Sequence, residues 1–258
     1  MKHSFIDQYS DLDSFIHKLD PRTKFIASLA FVVLVVLTRV INWQAFVLYF
    51  CLIATCLAVS KLPPPYVLKR SLVIFPFVIV IAIFIPFFKP GEVAGSYNIW
   101  LWQVSVTYDG LLVLANVATK AWLCILSLIL LSATTKFTDL LRGLKQLKVP
   151  NVLILILSFM YRYIFILSDE VMRMRQARDS RNFGGGRFRQ LKTIGNMIGT
   201  LFIRSYERGE RIYAAMLARG FDGDVRSLHQ LNLKRVDAYF GLAFGLVLIS
   251  SGIIFWQL

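Results

Sequence analysis

The sequence predicts an all-α polytopic membrane protein, and three observations support this prediction. Of the 258 residues, 57% are hydrophobic and 21 are phenylalanine, a balance that is rare in a soluble domain with a polar surface. Apolar runs long enough to cross a bilayer as helices recur along the chain. A strongly basic segment interrupts these runs. Together the observations predict about five transmembrane helices and a cytoplasmic-side module of one short and two long coupling helices.

Five apolar runs are predicted to cross the membrane. A helix rises about 1.5 Å per residue, so roughly 20 apolar residues cross about 30 Å of hydrocarbon. The first run is shorter, but Lys24 and Arg39 at its ends can extend towards the headgroups. The predicted spans are residues 24–38, 43–60, 71–88, 109–132 and 236–257.

A sixth apolar run, residues 152–167, contains Arg162 and is predicted not to span. Lys and Arg accumulate in cytoplasmic loops, and the successive segments between the predicted spans, from the N-terminus to residue 150, carry four, one, three, one and four of them. This alternation places the N-terminus and residues 133–150 in the cytoplasm. If 152–167 crossed, the most basic segment of all would lie outside.

The charge pattern therefore divides the chain into three parts. Residues 132–235 hold 19 of the 29 Lys and Arg residues but only 8 of the 15 Asp and Glu residues. We predict an N-terminal membrane domain of four helices at 1–132, a cytoplasmic coupling-helix module at 133–235 and a C-terminal transmembrane helix at 236–258.

Within the module, the sequence predicts three helices. The segment 137–151, FTDLLRGLKQLKVPN, places leucines at helical spacing before Pro150, which ends the helix. Two long helices are predicted at 151 to about 180 and about 190 to 219. Their apolar surface is too extensive for a solvated loop, so we expect it to lie against the membrane boundary or a partner.

Both long helices end in Ala-Arg, at Arg178 and at Arg219, and a Phe and a Gly follow each within a few residues. A cation and a glycine are both favourable at a helix C-terminus, so each site can be a simple terminator. Alternatively, the alanine lets another surface approach closely while the arginine supplies five donors and a fixed charge. The repetition favours two contacts with two similar partner grooves.

The residue inventory disfavours several other functions. The chain lacks the phosphate-binding pattern G-x-x-x-x-G-K-[ST], and its histidines, His3, His17 and His229, are too far apart in sequence to suggest a metal site. No acid lies in the interior of a predicted span, away from its ends, which argues against a proton pump that works alone. Lys120 does lie near the middle of the fourth span. We expect a structural partner for it, a carbonyl or Asn116, rather than a role in transport.

Two other classes of protein remain as alternatives. A membrane-embedded enzyme with a basic cytosolic face would need convergent acids, for which Asp139, Asp169 and Glu170 are available. We predict that the last two instead pair with Arg173 on their own helix. Nucleic-acid binding is disfavoured because few exposed aromatic residues are expected between the basic ones.

Several segments resemble one known family. LDPRTK at 19–24, TTKFTDLLRGLKQLKVP at 134–150 and the two Ala-Arg sites are similar to the transmembrane T component of energy-coupling factor (ECF) transporters. The segment SFIHKLDPRTK at 14–24 resembles the cobalt-type member, CbiQ. The resemblance covers nearly the whole chain.

The resemblance implies a non-catalytic subunit of an ATP-driven importer, with the two Ala-Arg helix ends docked in grooves of two cytosolic ABC-type ATPases. By position, the implied docking residues are Ala177, Arg178 and Asp179 at the first site and Ala218, Arg219 and Gly220 at the second. Asp179 departs from the family's pattern and could pair with Arg178 or Arg181, which would weaken or retune that contact.

The resemblance also implies the partners and the cargo. The ATPases would bind ATP and Mg²⁺, this chain would hold no cofactor, and a separate CbiM-like membrane subunit would capture the substrate. Cobalt, the metal of cobalamin biosynthesis, is favoured as that substrate, followed by nickel and then by vitamins. The implied location is the plasma membrane of a bacterium or an archaeon.

Overall fold

The computed structural model describes residues 9–10, 12–39, 42–82, 93–99, 102–181, 186–223 and 234–257. The predicted all-α fold class is confirmed, because helices make up most of these residues. In chain order the helices are α1 (Pro21–Leu37), α2 (Trp43–Val59), α3 (Pro64–Ala82), α4 (Tyr108–Thr134), α5 (Phe137–Gln146), α6 (Asn151–Ser180), α7 (Arg187–Ala218) and α8 (Arg235–Gln257). The last six residues of the predicted third span, 83–88, lie outside the described residues.

A two-stranded antiparallel hairpin precedes α4 and was not predicted. Strand β1 (Val93–Ile99) pairs with β2 (Trp102–Thr107), and the register places Tyr97 opposite Val104. The run from Val104 to Thr107 alternates valine with a hydroxyl residue, the period-2 pattern of a half-buried strand. A search for apolar runs of about 20 residues does not detect such a short pattern.

The described residues form two compact units. One unit lies within 4–143 and 231–258 and contains α1 to α4, most of α5, and α8. The other lies within 144–230 and contains α6 and α7. The cytoplasmic position of residues 133–235, together with the domain boundaries based on it, remains a prediction.

The core of the first unit lies where α1, α2, α4 and α8 pack. Helices α1 and α4 are antiparallel: Ser28 bonds to Ser127 through their hydroxyl oxygens at 2.9 Å, and near the other end Lys120 donates to the carbonyl oxygen of Val36 at 2.9 Å. Buried apolar side chains fill the space between the helices: Phe31, Val35, Ala45, Tyr49, Ile53, Leu123, Leu126, Ile129 and Leu248.

The start of α1 follows from its sequence. The Asp20 side chain accepts a hydrogen bond from the Arg22 backbone N–H at 2.9 Å, and Pro21 occupies the first helical position. An aspartate at the N-cap satisfies a donor that the helix leaves unpaired, and proline is tolerated where its missing N–H is not needed. The helix therefore begins three residues before the predicted span.

Two of the described helices are long and apolar enough to cross a membrane, namely α4 and α6. For α6 this differs from the prediction that 152–167 does not span. The helix is 30 residues long, and only 6% of its apolar window is buried within the structure. The predicted non-spanning position therefore rests on charge alone, whereas length and composition favour a span. In either case α6 needs lipid or a partner to cover its apolar side chains.

Two Ala-Arg helix ends as the candidate docking site

The C-terminus of α7 is closed by backbone groups. Gly220 has a φ of +75°, its N–H donates to the Leu217 carbonyl at 3.0 Å, and the Phe221 N–H donates to the Met216 carbonyl at 3.1 Å. This pair of bonds is the Schellman motif, in which glycine adopts the left-handed conformation at low cost. The closure needs Gly220 and makes no use of the Arg219 side chain.

Arg219 is exposed, and within the described part of the chain its side chain has no hydrogen-bond or ion-pair partner. Ala218 beside it is exposed as well. An arginine that is not used by its own helix keeps all five donors available for another molecule. The end of α7 therefore has the geometry expected of a docking residue.

The end of α6 differs because its arginine is engaged locally. Arg178 donates from Nε and Nη2 to Oδ1 of Asp179 at 3.0 and 2.8 Å, and Arg175 lies 3.8 Å from the other carboxylate oxygen. The Arg178 side chain is 25% exposed, whereas Ala177 is exposed. The predicted Arg178–Asp179 pair is therefore present, together with Arg175. A partner that binds Arg178 must compete with Asp179.

An apolar stripe runs along α7 between its two ends. Apart from the adjacent pair Phe202 and Ile203, consecutive exposed large apolar residues on this helix are three, four or seven positions apart, which places most of them on a shared face. Each of the following is more than half exposed: Phe188, Leu191, Ile198, Phe202, Ile203, Tyr206, Tyr213 and Leu217. The structure therefore supports the expectation that this helix lies against an apolar surface.

Lys120 bonds to the end of a neighbouring helix. Its ammonium donates to the carbonyl oxygens of Val36 at 2.9 Å and Thr38 at 2.6 Å. The last carbonyls of an α-helix have no partner within the helix and carry partial negative charge, so a cation satisfies and stabilises them. Of the two kinds of partner expected for Lys120, a carbonyl or Asn116, the structure shows backbone carbonyls. Asn116 is buried and has no hydrogen-bond partner for its side chain among the described residues.

The acids required by the enzyme alternative are largely occupied. Oδ1 of Asp139 lies 2.7 Å from Nη1 of Arg142. The prediction that Glu170 pairs with Arg173 was wrong, because Glu170 accepts from Arg204 of α7 at 2.6 Å. Glu170 reaches the second long helix because α6 and α7 pack together. Sequence spacing within one helix could not indicate this contact.

Among the described residues, no group of three or more His, Cys, Asp and Glu side chains is arranged to hold a metal ion. His17 instead bonds within the segment before α1: Nε2 donates to the Tyr9 carbonyl at 3.0 Å, and Nδ1 lies 2.6 Å from the Ser14 hydroxyl. His3 and His229 lie outside the described residues.

Sequence reasoning missed a buried polar cluster at the start of α1. It contains Lys24, Asp20 and Asp237, and Asp237 comes from α8, 217 positions after Asp20. The N-cap signature Asp-Pro in LDPRTK was a usable signal for Asp20. The pairing with Asp237 had no local signal, because it depends on how α1 and α8 pack.

These features define a helical protein with long, exposed apolar helices, whose candidate site consists of two exposed helix ends. The family model CbiQ, described as a cobalt transport protein, matches residues 13–231. The chain therefore belongs to the CbiQ family, which confirms the resemblance drawn from its sequence motifs.

Curated relatives agree with this assignment over nearly the full length. An uncharacterised protein of Methanocaldococcus jannaschii is 31% identical, covering 97% of this chain and 86% of the relative. The energy-coupling factor transporter transmembrane protein EcfT of Clostridium kluyveri is 30% identical, covering 98% and 97%. The protein of the same name from Listeria innocua is 28% identical, covering 99% and 98%.

Proposed function

We propose that this chain is the transmembrane coupling subunit of an ATP-driven ECF-type importer. Membership of the CbiQ family and the names of the EcfT relatives support this role. The single observation that carries the mechanism is the end of α7, where Arg219 projects from a helix already closed by its backbone. The chain itself is non-catalytic in this proposal.

The partners follow from the role. Two cytosolic ABC-type ATPases bind ATP and Mg²⁺ and receive the two Ala-Arg helix ends. A separate substrate-capture membrane protein of the CbiM type lies against the exposed apolar stripe of α7. ATP hydrolysis moves α6 and α7, and this movement reorients or releases the capture protein. The chain is multi-pass, with its N-terminus in the cytoplasm of a bacterial or archaeal cell.

The two docking residues contribute unequally in this proposal. Arg219 is free of local partners in the described structure, so binding costs it only side-chain entropy and desolvation. Arg178 must first give up two bonds to Asp179. We therefore assign the stronger ATPase contact to Arg219 and the weaker one to Arg178.

The proposed cargo is cobalt ion, which is the substrate class that the family description supports. Nickel is the second choice, and a vitamin the third. The discriminating experiment reconstitutes this chain with its ATPases and capture protein in proteoliposomes and measures ATP-dependent uptake of Co²⁺, Ni²⁺ and a vitamin in parallel. Uptake that persists without the ATPases, or without this chain, would contradict the proposed coupling role.

A further inference from the structure

The buried polar cluster at the start of α1 lies entirely within the first unit. We call it the α1 clamp and define it as Asp20, Lys24, Thr134, Lys234 and Asp237. Its members come from α1 or its N-cap, from the end of α4 and from the start of α8. The chain continues from α4 through α5 into residues 144–230 and returns just before α8. The clamp therefore contacts the chain on both sides of that segment.

Lys24 binds the end of α4, from which the chain continues towards α6 and α7. Its side chain is buried, with the residue 7% exposed, and its ammonium donates to the Thr134 carbonyl at 3.0 Å and the His17 carbonyl at 3.1 Å. Thr134 is the last residue of α4. Hydrogen bonds from an ammonium are stronger than neutral ones, and losing one inside a protein leaves an unsatisfied group. The end of α4 is therefore fixed to the first turn of α1.

Asp237 attaches the start of α8, which follows the segment that carries α6 and α7, to the N-cap of α1. The residue is 2% exposed, its Oδ1 accepts from the Asp20 N–H at 2.8 Å and its Oδ2 accepts from the Lys234 N–H at 2.8 Å. Lys234 immediately precedes α8. A buried carboxylate is costly unless it is hydrogen-bonded, and here both oxygens are used. The start of α8 is thereby fixed to the N-cap of α1.

Helix α5 packs on the same turn of α1. A methyl group added at Gly143 would lie 3.4 Å from Cγ of Arg22 and 3.5 Å from Cβ of Pro21. These separations are ordinary van der Waals contacts, so α5 at Gly143 packs directly on this turn. The first turn of α1 is thus a common attachment for α4, α5 and α8.

We propose that Lys24 and Asp237 are positioning residues that fix both ends of the segment carrying α6 and α7 to one turn of α1. This inference rests on the proposed function. When the ATPases displace α6 and α7, fixed attachment points transmit the displacement to the membrane helices. Without the clamp, the chain at Thr134 and at Lys234 moves relative to α1 instead. Less substrate is then transported for each ATP that is hydrolysed.

The opposite end of α1 offers a matched control. Lys120 also donates two hydrogen bonds to backbone carbonyls, those of Val36 and Thr38. These bonds join α1 to α4 but lie away from Thr134 and Lys234. Lys120→Met therefore removes the same chemistry as Lys24→Met from the same pair of helices. Only Lys24→Met frees one end of the segment that carries α6 and α7.

The test uses the complete complex in proteoliposomes, with wild type, Lys24→Met, Asp237→Asn and Lys120→Met compared for substrate uptake per ATP hydrolysed. We expect Lys24→Met and Asp237→Asn to keep the ATPases bound and to lower this ratio several-fold, because part of the displacement is lost where the chain is no longer attached to α1. We expect Lys120→Met to keep the wild-type ratio, even if less complex is recovered.

Wild-type ratios for both clamp variants would overturn the inference, as would a failure of both to assemble, because the cluster would then serve folding alone. If only Lys24→Met fails to assemble, Asp237→Asn decides, since it preserves side-chain volume and one accepted bond. Failure of the proposed function is visible separately: the wild-type complex itself would not capture the ATPases or would transport without them.

Discussion

Glu170 accepts a hydrogen bond from Arg204 at 2.6 Å and so joins the two long helices α6 and α7. Arg204 is exposed, so the pair contributes only about 0.2 to 1 kcal/mol to the free energy of unfolding. The contact also fixes where α6 and α7 meet. Its loss can therefore change the packing of the two helices even though it changes the free energy of unfolding little.

We predict that Glu170→Arg impairs uptake by the reconstituted complex, because two arginines at this contact repel each other. Exchanging the charges in Glu170→Arg with Arg204→Glu should restore most of the loss. The control is Glu207→Arg, since Glu207 lies 3.9 Å from Arg211 on the same helix and does not join two helices. An exchange variant no better than Glu170→Arg would show that the ion pair is not the reason for the defect.

Lys120→Met should leave transport near normal and lower stability. The substitution removes two bonds to the carbonyls at the end of α1, and we expect a loss of about 1 to 3 kcal/mol. Thermal inactivation of the purified complex measures the stability, and uptake in proteoliposomes measures the function. Abolished uptake in a complex that is assembled and still hydrolyses ATP would instead give Lys120 a direct role in transport.

The predicted topology can be tested with single cysteines in a background lacking Cys51, Cys56 and Cys124. A cysteine at Ser180, an exposed position at the end of α6, should react with a membrane-impermeant maleimide only from the cytoplasmic side. A cysteine at Asp109, exposed at the start of α4, is the control and should react only from outside. Labelling of Ser180→Cys from outside would mean that α6 crosses the membrane.

His17 makes stability depend on pH. Burial lowers its pKa below the ordinary value of 6.5, and the charge of Lys24 acts in the same direction, against a raising effect of the Tyr9 carbonyl. The unfolded chain therefore binds a proton at a higher pH than the folded chain does. The contribution of His17 to the free energy of unfolding is fully present above pH 6.5. It declines as the pH falls through the range between the unfolded and folded pKa values.

We accordingly expect the Tm of wild type minus that of His17→Gln to decrease as the pH is lowered from about 8 to about 5.5. Thermal unfolding of the two proteins in the same detergent measures the difference. A difference that is independent of pH, or that grows on acidification, would contradict the assigned burial of the imidazole.

Local patterns in the sequence predicted most helices well. The long helix at 151–180 has the predicted bounds, and α1 and α2 begin or end within about three residues of theirs, because apolar runs and Pro150 set the limits. The pair of Arg178 with Asp179 was also accessible, since adjacent residues at a helix end are always close.

Contacts between distant segments could not be predicted. Asp237 reaches the backbone of Asp20, and Glu170 reaches Arg204, only because particular helices pack together. A single sequence contains no local periodicity that specifies such packing. Lys120 is intermediate: its position in an apolar helix predicted a need for partners, but the identity of the two carbonyls required the antiparallel arrangement of α1 and α4.

The most direct test of the account is ATPase capture by variants of the two Ala-Arg ends. As helix-terminal charges, the arginines would contribute only about 0.3 to 1 kcal/mol each, and lysine would replace them. As interface anchors, their truncation costs about 2 kcal/mol or more, and lysine fails because it lacks the planar fork. Arg208→Ala is the control, since it removes an exposed charge from the same helix.

The measurement is copurification of the ATPases with membrane-inserted variants of this chain. We predict that Arg219→Ala greatly reduces capture, that Arg219→Lys is also impaired, and that Arg178→Ala has a milder effect because Asp179 already engages Arg178. Arg208→Ala should behave as wild type, and the Arg178→Ala, Arg219→Ala double variant should release the ATPases completely. Normal ATPase capture by the double variant would contradict the docking role and leave both arginines as helix-terminal charges.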